Sequence, residues 1–123
     1  MAKLISDDAL DAALQYIIDN VSHIHVLSQI PTAYADVATY TLGNTTLVSG
    51  DFGALGDFTS GGRQIAIPQK TVTGTAAGTV TYLALIDSSE TELLVYSDTV
   101  SQAITNGGSL VVPTWLIYIE DPT

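Results

Sequence analysis

Cysteine is absent from the 123 residues, and basic side chains nearly so: Lys3, Arg63 and Lys70 stand against thirteen acids. Without thiols a disulfide-stapled scaffold, a zinc ribbon and a cysteine nucleophile are excluded. Without clustered Lys and Arg there is nothing to neutralise a phosphate backbone, so nucleic acid is not an expected partner. The formal charge of −10 also sets the chain against an anionic membrane surface. Long apolar runs are missing too. The longest, Leu110 to Ile119, is too short to span a bilayer and contains Pro113. Lys3 could open a signal segment, but Asp7, Asp8 and Asp11 interrupt the apolar core that should follow. The expectation is a soluble protein made in a cytoplasm.

What is present is hydrophobic. Apolar residues make up 46% of the chain and charged ones only 13%, which excludes disorder. A chain of this length buries roughly two-thirds of its unfolded surface and needs no metal or disulfide to fold. The mean hydropathy of +0.34 has two explanations. Either a monomer is solubilised by Thr, Ser and Asn, or neighbours cover part of the subunit surface.

Residues 1–22 read as an N-terminal amphipathic helix packed on the rest, and 23–123 as a β-domain. Ser6 suits an N-cap, and Asp7 and Asp8 favour the first turn. Leu10, Ala13, Leu14, Ile17, Ile18 and Val21 form one apolar stripe, with Asp11, Gln15 and Asp19 opposite. Beyond Val21 the period changes. His23–Leu27 reads as a strand stopped by Pro31. Tyr34–Leu42, rich in Thr, Tyr and Val, reads as another, followed by a Gly43-Asn44 turn and a short strand to Ser49. Residues 50–62 carry five glycines and read as a long loop. Arg63–Ile67 alternates, and Gln69–Thr73 continues or pairs beyond Pro68. Thr79–Asp87 and Glu90–Ser97 form a hairpin around Ser88-Ser89. Ser101–Thr105 is a short strand, and Ser109–Ile119 a last one, with Pro113 forcing an edge or a bulge. The expected fold is mainly β, a single β-sandwich of jelly-roll or immunoglobulin-like type with one N-terminal helix.

Few residues offer chemistry. His23 and His25 share one face of a strand, where two imidazoles could hold a metal, but no third ligand is marked. Asp51 and Asp57 flank a glycine-containing loop, yet their spacing fits no calcium loop. There is no Gly-x-Ser-x-Gly elbow. Gly61-Gly62-Arg63 could cradle an anion, although a lone arginine among thirteen acids suits a structural ion pair. Glu90 and Glu92 lie beside a turn, where a glycosidase pair would need a cleft. The expectation is no catalytic residue, no metal, no cofactor and no small-molecule substrate. Phe52, Leu55 and Phe58 offer apolar anchors amid glycines, and with Arg63 they are the expected partner-binding residues.

The segments DALDAALQYI (8–17), SQIPTAYADVATYTLG (28–43), GGRQIAIP (61–68), TYLALIDSSETELLVYS (81–97) and SQAITNGGSLVVPTWLIYIEDP (101–122) together resemble short virion structural proteins of tailed bacteriophages. The resemblance implies a non-enzymatic virion component on the capsid exterior. A decoration (cement) protein that contacts the major capsid protein and copies of itself fits it best. The alternatives are a tail, baseplate or fibre-associated β module, or a small module that binds sugar or metal. Low charge with high hydropathy agrees with an interface-forming surface.

Overall fold

The computed structural model describes residues 6–59 and 61–120; residues 1–5 with Lys3, residue 60 of the expected loop and residues 121–123 lie outside the described residues. Helix α1 spans Asp7–Asn20 behind the expected cap: the Ser6 hydroxyl accepts from the Ala9 N–H at 3.3 Å, satisfying one of the N–H groups that a helix start leaves unpaired. Leu10, Leu14 and Ile18 are buried, Ile17 is half-buried, and Ala13 of the same stripe is exposed. Asp11 departs from the expected solvent-facing position, because it is half-buried against Arg63.

The remaining elements are β1 (His23–Leu27), α2 (Tyr34–Tyr40), β2 (Thr41–Thr46), a 3-10 turn (Ser49–Asp51), β3 (Gly56–Asp57), β4 (Gly62–Ile67), β5 (Lys70–Gly74), β6 (Gly78–Asp87), β7 (Glu92–Ile104), β8 (Ser109–Val112) and β9 (Trp115–Glu120). Six strands form a large sheet in the order β7-β6-β1-β2-β5-β8, and three form a small one, β3-β4-β9. All pairings are antiparallel. The expected mainly-β fold with its N-terminal helix is what forms. One core joins the layers: Ile24, Val26, Val72, Val80 and Leu85 of the large sheet meet Ile65, Ile67 and Ile117 of the small one, and Leu14 and Ile18 of α1 join the same cluster.

The prolines mark where the chain changes sheet. β4 pairs with β9 as far as Ile67 opposite Trp115, and β5 pairs with β8 from Lys70 opposite Val112. Pro68 and Pro113 therefore lie on the two strands of one ribbon at the same bend, where no ladder N–H is required. The single strand expected over Ser109–Ile119 is thus two strands in two sheets.

Other expectations are corrected. Tyr34–Tyr40 is helical rather than extended. Tyr34, Val37 and Tyr40 recur at three-residue spacing and pack with Leu27, Ala84 and Ile86 on the outer face of the large sheet. In the first turn Asp36 accepts from the Thr32 N–H at 3.0 Å and from the Thr32 hydroxyl at 2.8 Å. This packing overrides the β preference of Tyr, Val and Thr. Gly43-Asn44 is not a turn but lies within β2, opposite Gly74 and Thr73; a Cβ on Gly43 would sit 2.6 Å from the Thr73 carbonyl oxygen. β7 does not end at Ser97. It absorbs the short strand expected over 101–105, with register shifts opposite Val80/Tyr82 and Leu85/Ile86. The strand expected to reach Ser49 ends at Thr46, and the loop expected over 50–62 takes in the end of the 3-10 turn, the two-residue β3 and, at Gly62, the start of β4.

Candidate contact surface

The residues singled out in the sequence gather around the small sheet. Phe52 and Leu55, half-buried, pack against the main core. Phe58 stacks on Tyr118 of β9, with ring centroids 4.0 Å apart and planes within 5°. Tyr118 is itself 48% exposed, and its neighbour on the same outer face, Leu116, 47%. Of the four expected partner-binding residues, Phe58 alone belongs to this outward apolar pair.

Arg63 is a hub. Its Nε donates to Asp11 Oδ1 at 2.7 Å, Nη2 to Asp11 Oδ2 at 3.2 Å, and Nη1 to Asp57 Oδ1 at 2.7 Å. Bidentate pairing with one carboxylate and a further bond to another makes this the strong form of an arginine contact. Hydrogen bonds donated to Asp11 and then to Asp57 raise the guanidinium pKa above its usual range. The clamp ties α1 to β4 and to the loop, so the Gly61-Gly62-Arg63 segment spends its arginine internally. Gly62 adopts φ +110°, and a Cβ there would collide with the Ile119 carbonyl oxygen. Lys70 Nζ lies 3.2 Å from Asp51 Oδ1. Asp51 is held below the usual carboxylate range, first by the Val48 N–H and then by Lys70. Both described cations are thus committed to carboxylates of their own chain.

The remaining chemical candidates stay apart. Among the described residues no three His, Asp or Glu side chains come together as a metal-ligand group. His25 Nδ1 lies 2.8 Å from the Thr41 hydroxyl oxygen, which is also 3.1 Å from the Gly43 carbonyl oxygen. Burial, with the neighbouring His23 adding to it, lowers the His25 pKa to about 4. His23 Nδ1 bonds Ser22 Oγ at 3.0 Å. Glu90 is exposed at the hairpin turn, and Glu92 accepts from the Tyr16 hydroxyl at 3.2 Å. Asp87, the buried carboxylate, accepts from the Ser89 N–H and hydroxyl at 3.1 and 2.7 Å, closing the turn.

Two features escaped the sequence reading. One is the Asp11–Arg63 clamp, formed across 52 residues; the acidic excess announces that Arg63 has a partner but not which. The other is a cleft of about 500 Å³ between β7 and the bend that joins β8 to β9, lined by Leu83, Asp98, Val100, Trp115 and Leu116 among others. Val100, at 79% exposure, is the most exposed large apolar side chain among the described residues. Nothing local predicts that Val100 and Leu116 share a surface. No family model, curated protein or solved structure matches the chain.

Proposed function

We propose that the protein is a structural component of a tailed-bacteriophage virion, a capsid decoration protein that binds the shell exterior and bridges adjacent major capsid subunits. The observation that carries this reading is a set of exposed apolar side chains, Leu116 and Tyr118 on the small sheet and Val100 and Val111 on end strands of the large one, with Phe58 stacked on Tyr118, on a chain with net charge −10. The segments that resemble virion proteins support the same reading. Phe52, Leu55 and Arg63 serve it from beneath, by fixing the loop that presents Phe58.

The mechanism is mass action. A protein that binds the assembled shell and not its separated subunits stabilises assembly by RT ln(1 + [L]/Kd), about 2.7 kcal/mol at a free concentration of 100 Kd. Small contributions per copy add up over a shell. The acidic outer surface meanwhile keeps decorated particles apart.

The test uses particles that lack the protein. They are expected to assemble, to release DNA at a lower temperature than complete particles, and to regain resistance when purified protein is added. Depleted particles as robust as complete ones would remove the cement mechanism. Protein that ignores capsids but binds isolated tails would move it to the tail.

A further inference from the structure

The two sheets are unequal. Three strands face six, and among the described residues each sheet has two end strands without an outer partner, β7 and β8 in the large sheet and β3 and β9 in the small one. The cleft lies between β7 and the start of β9, with Val100 on the β7 wall, Trp115 and Leu116 on the β9 wall, Pro113 and Thr114 of the bend before β9, and Leu83 of the large sheet also lining it.

The β7 and β9 edges differ in how well they receive a strand. Exposed edges are normally blunted by short length, Lys, Pro or bulges. β7 is 13 residues long with no Lys, Arg or Pro, and a register shift opposite Val80/Tyr82 bends it beside Val100. Such a bulge re-aims side chains and disfavours flat pairing. β9 pairs with β4 in unbroken register from Gly62 opposite Glu120 to Ile67 opposite Trp115, so its free edge is a regular ladder. Its residues, WLIYIE, contain no Lys, Arg or Pro.

Charge selects the occupant. Arg63 and Lys70 are held by carboxylates of their own chain, while Asp98 at the cleft has no ion-pair partner among the described residues. A second copy brings ten more net negative charges. A segment with a Lys or Arg between apolar residues complements both the lining and the field.

We propose that the cleft accepts an extended basic–apolar segment of a partner polypeptide, which adds to the free edge of β9 as a fourth strand and lays its apolar side chains against Trp115, Leu116 and Val100. Main-chain bonds supply the generic affinity of strand addition, and the lining and Asp98 supply selection. Identifying the partner as a shell subunit rests on the decoration reading; the strand-accepting cleft itself does not.

Trp115 is the single tryptophan of the chain, so its emission reports on the cleft directly. The full-length protein is titrated with the probe acetyl-Thr-Val-Lys-Val-Thr-Val-amide, with its Glu-for-Lys counterpart, and with depleted particles. Leu116→Asp and Val100→Asp serve as variants whose folding is checked by thermal melting. The expected result is a saturable blue shift with the Lys peptide and with particles, binding of the Glu peptide weaker by about tenfold, and loss of both shifts in the variants. Particles that bind the variants as well as wild type, with Trp115 unmoved, would overturn the seam and leave the decoration reading standing. A peptide shift without particle binding would keep the seam and overturn the decoration reading. A shift that follows protein concentration alone, with dimers in sedimentation, would make a second copy the occupant and overturn the proposal. No shift with any probe overturns it as well.

Discussion

On the β3–β4 flank of the small sheet, α1 lies against β4 and Arg63 grips Asp11 and Asp57. On the β9 flank the strand edge has no partner among the described residues, and Leu116 and Tyr118 are about half exposed. The two flanks belong to one three-stranded sheet, yet the first has its polar and apolar groups satisfied within the chain and the second does not. A free edge beside exposed apolar side chains costs solubility and invites pairing. The difference teaches that stability and recognition are kept on opposite sides, so substitutions should separate them.

The largest effect is expected on the closed side. Leu14 has no exposed surface and joins the core shared by both sheets, so Leu14→Asp places an unpaired charge in an apolar site and should cost about 4 kcal/mol or more. Chemical denaturation should find the variant unfolded or close to it. A melting temperature equal to wild type would break the assignment of α1 to the core. Gly62→Ala should come next, at about 3 kcal/mol, because it combines a positive φ with a collision against backbone that cannot swing aside.

Acid provides a control on neither flank, since His25 lies on the outer face of the large sheet. Its pKa falls from 6.5 to about 4 on folding, so between those values the unfolded chain binds more protons than the folded one. Stability attributable to His25 is therefore complete above pH 6.5 and is lost as the pH falls toward 4. The loss is roughly 2 kcal/mol after allowing for the ring's partial exposure. His25→Gln should flatten denaturation midpoints measured across that window, and an unchanged slope would contradict the burial of the imidazole.

Arg63→Gln should lower the melting temperature by a few degrees, with Asp11→Asn adding little in the double variant because the two share one interaction. Full additivity would mean that the clamp is not a unit. On the open flank Leu116→Asp should change stability by no more than about 0.5 kcal/mol while abolishing particle binding. A large loss of stability there would erase the contrast between the flanks.

How much of this was legible depended on distance along the chain. The α1 helix follows from a local stripe and a local cap. The β6–β7 hairpin follows from two apolar runs around Ser88-Ser89. Pro68 and Pro113 mark irregular points locally, but Pro113 reads only as an edge or a bulge, and the change of sheet there depends on pairing with distant strands. The α2 helix was not legible, because Tyr34, Val37 and Tyr40 earn their helical conformation by packing on Ala84 and Ile86, far away in sequence. Phe52, Leu55 and Phe58 read alike as anchors in a glycine-rich loop, and only the fold divides them between core and surface. The open flank depends wholly on strand order, on β9 ending one sheet and β7 the other, which no segment encodes alone.

Hydrogen exchange of the protein free and bound to particles tests the open-flank account most directly. Loading should protect the amides of Trp115–Glu120 along the free edge of β9 and leave α1, β3 and β4 unchanged. Protection of α1 and the Arg63 flank, with β9 exchanging as in the free protein, would contradict it.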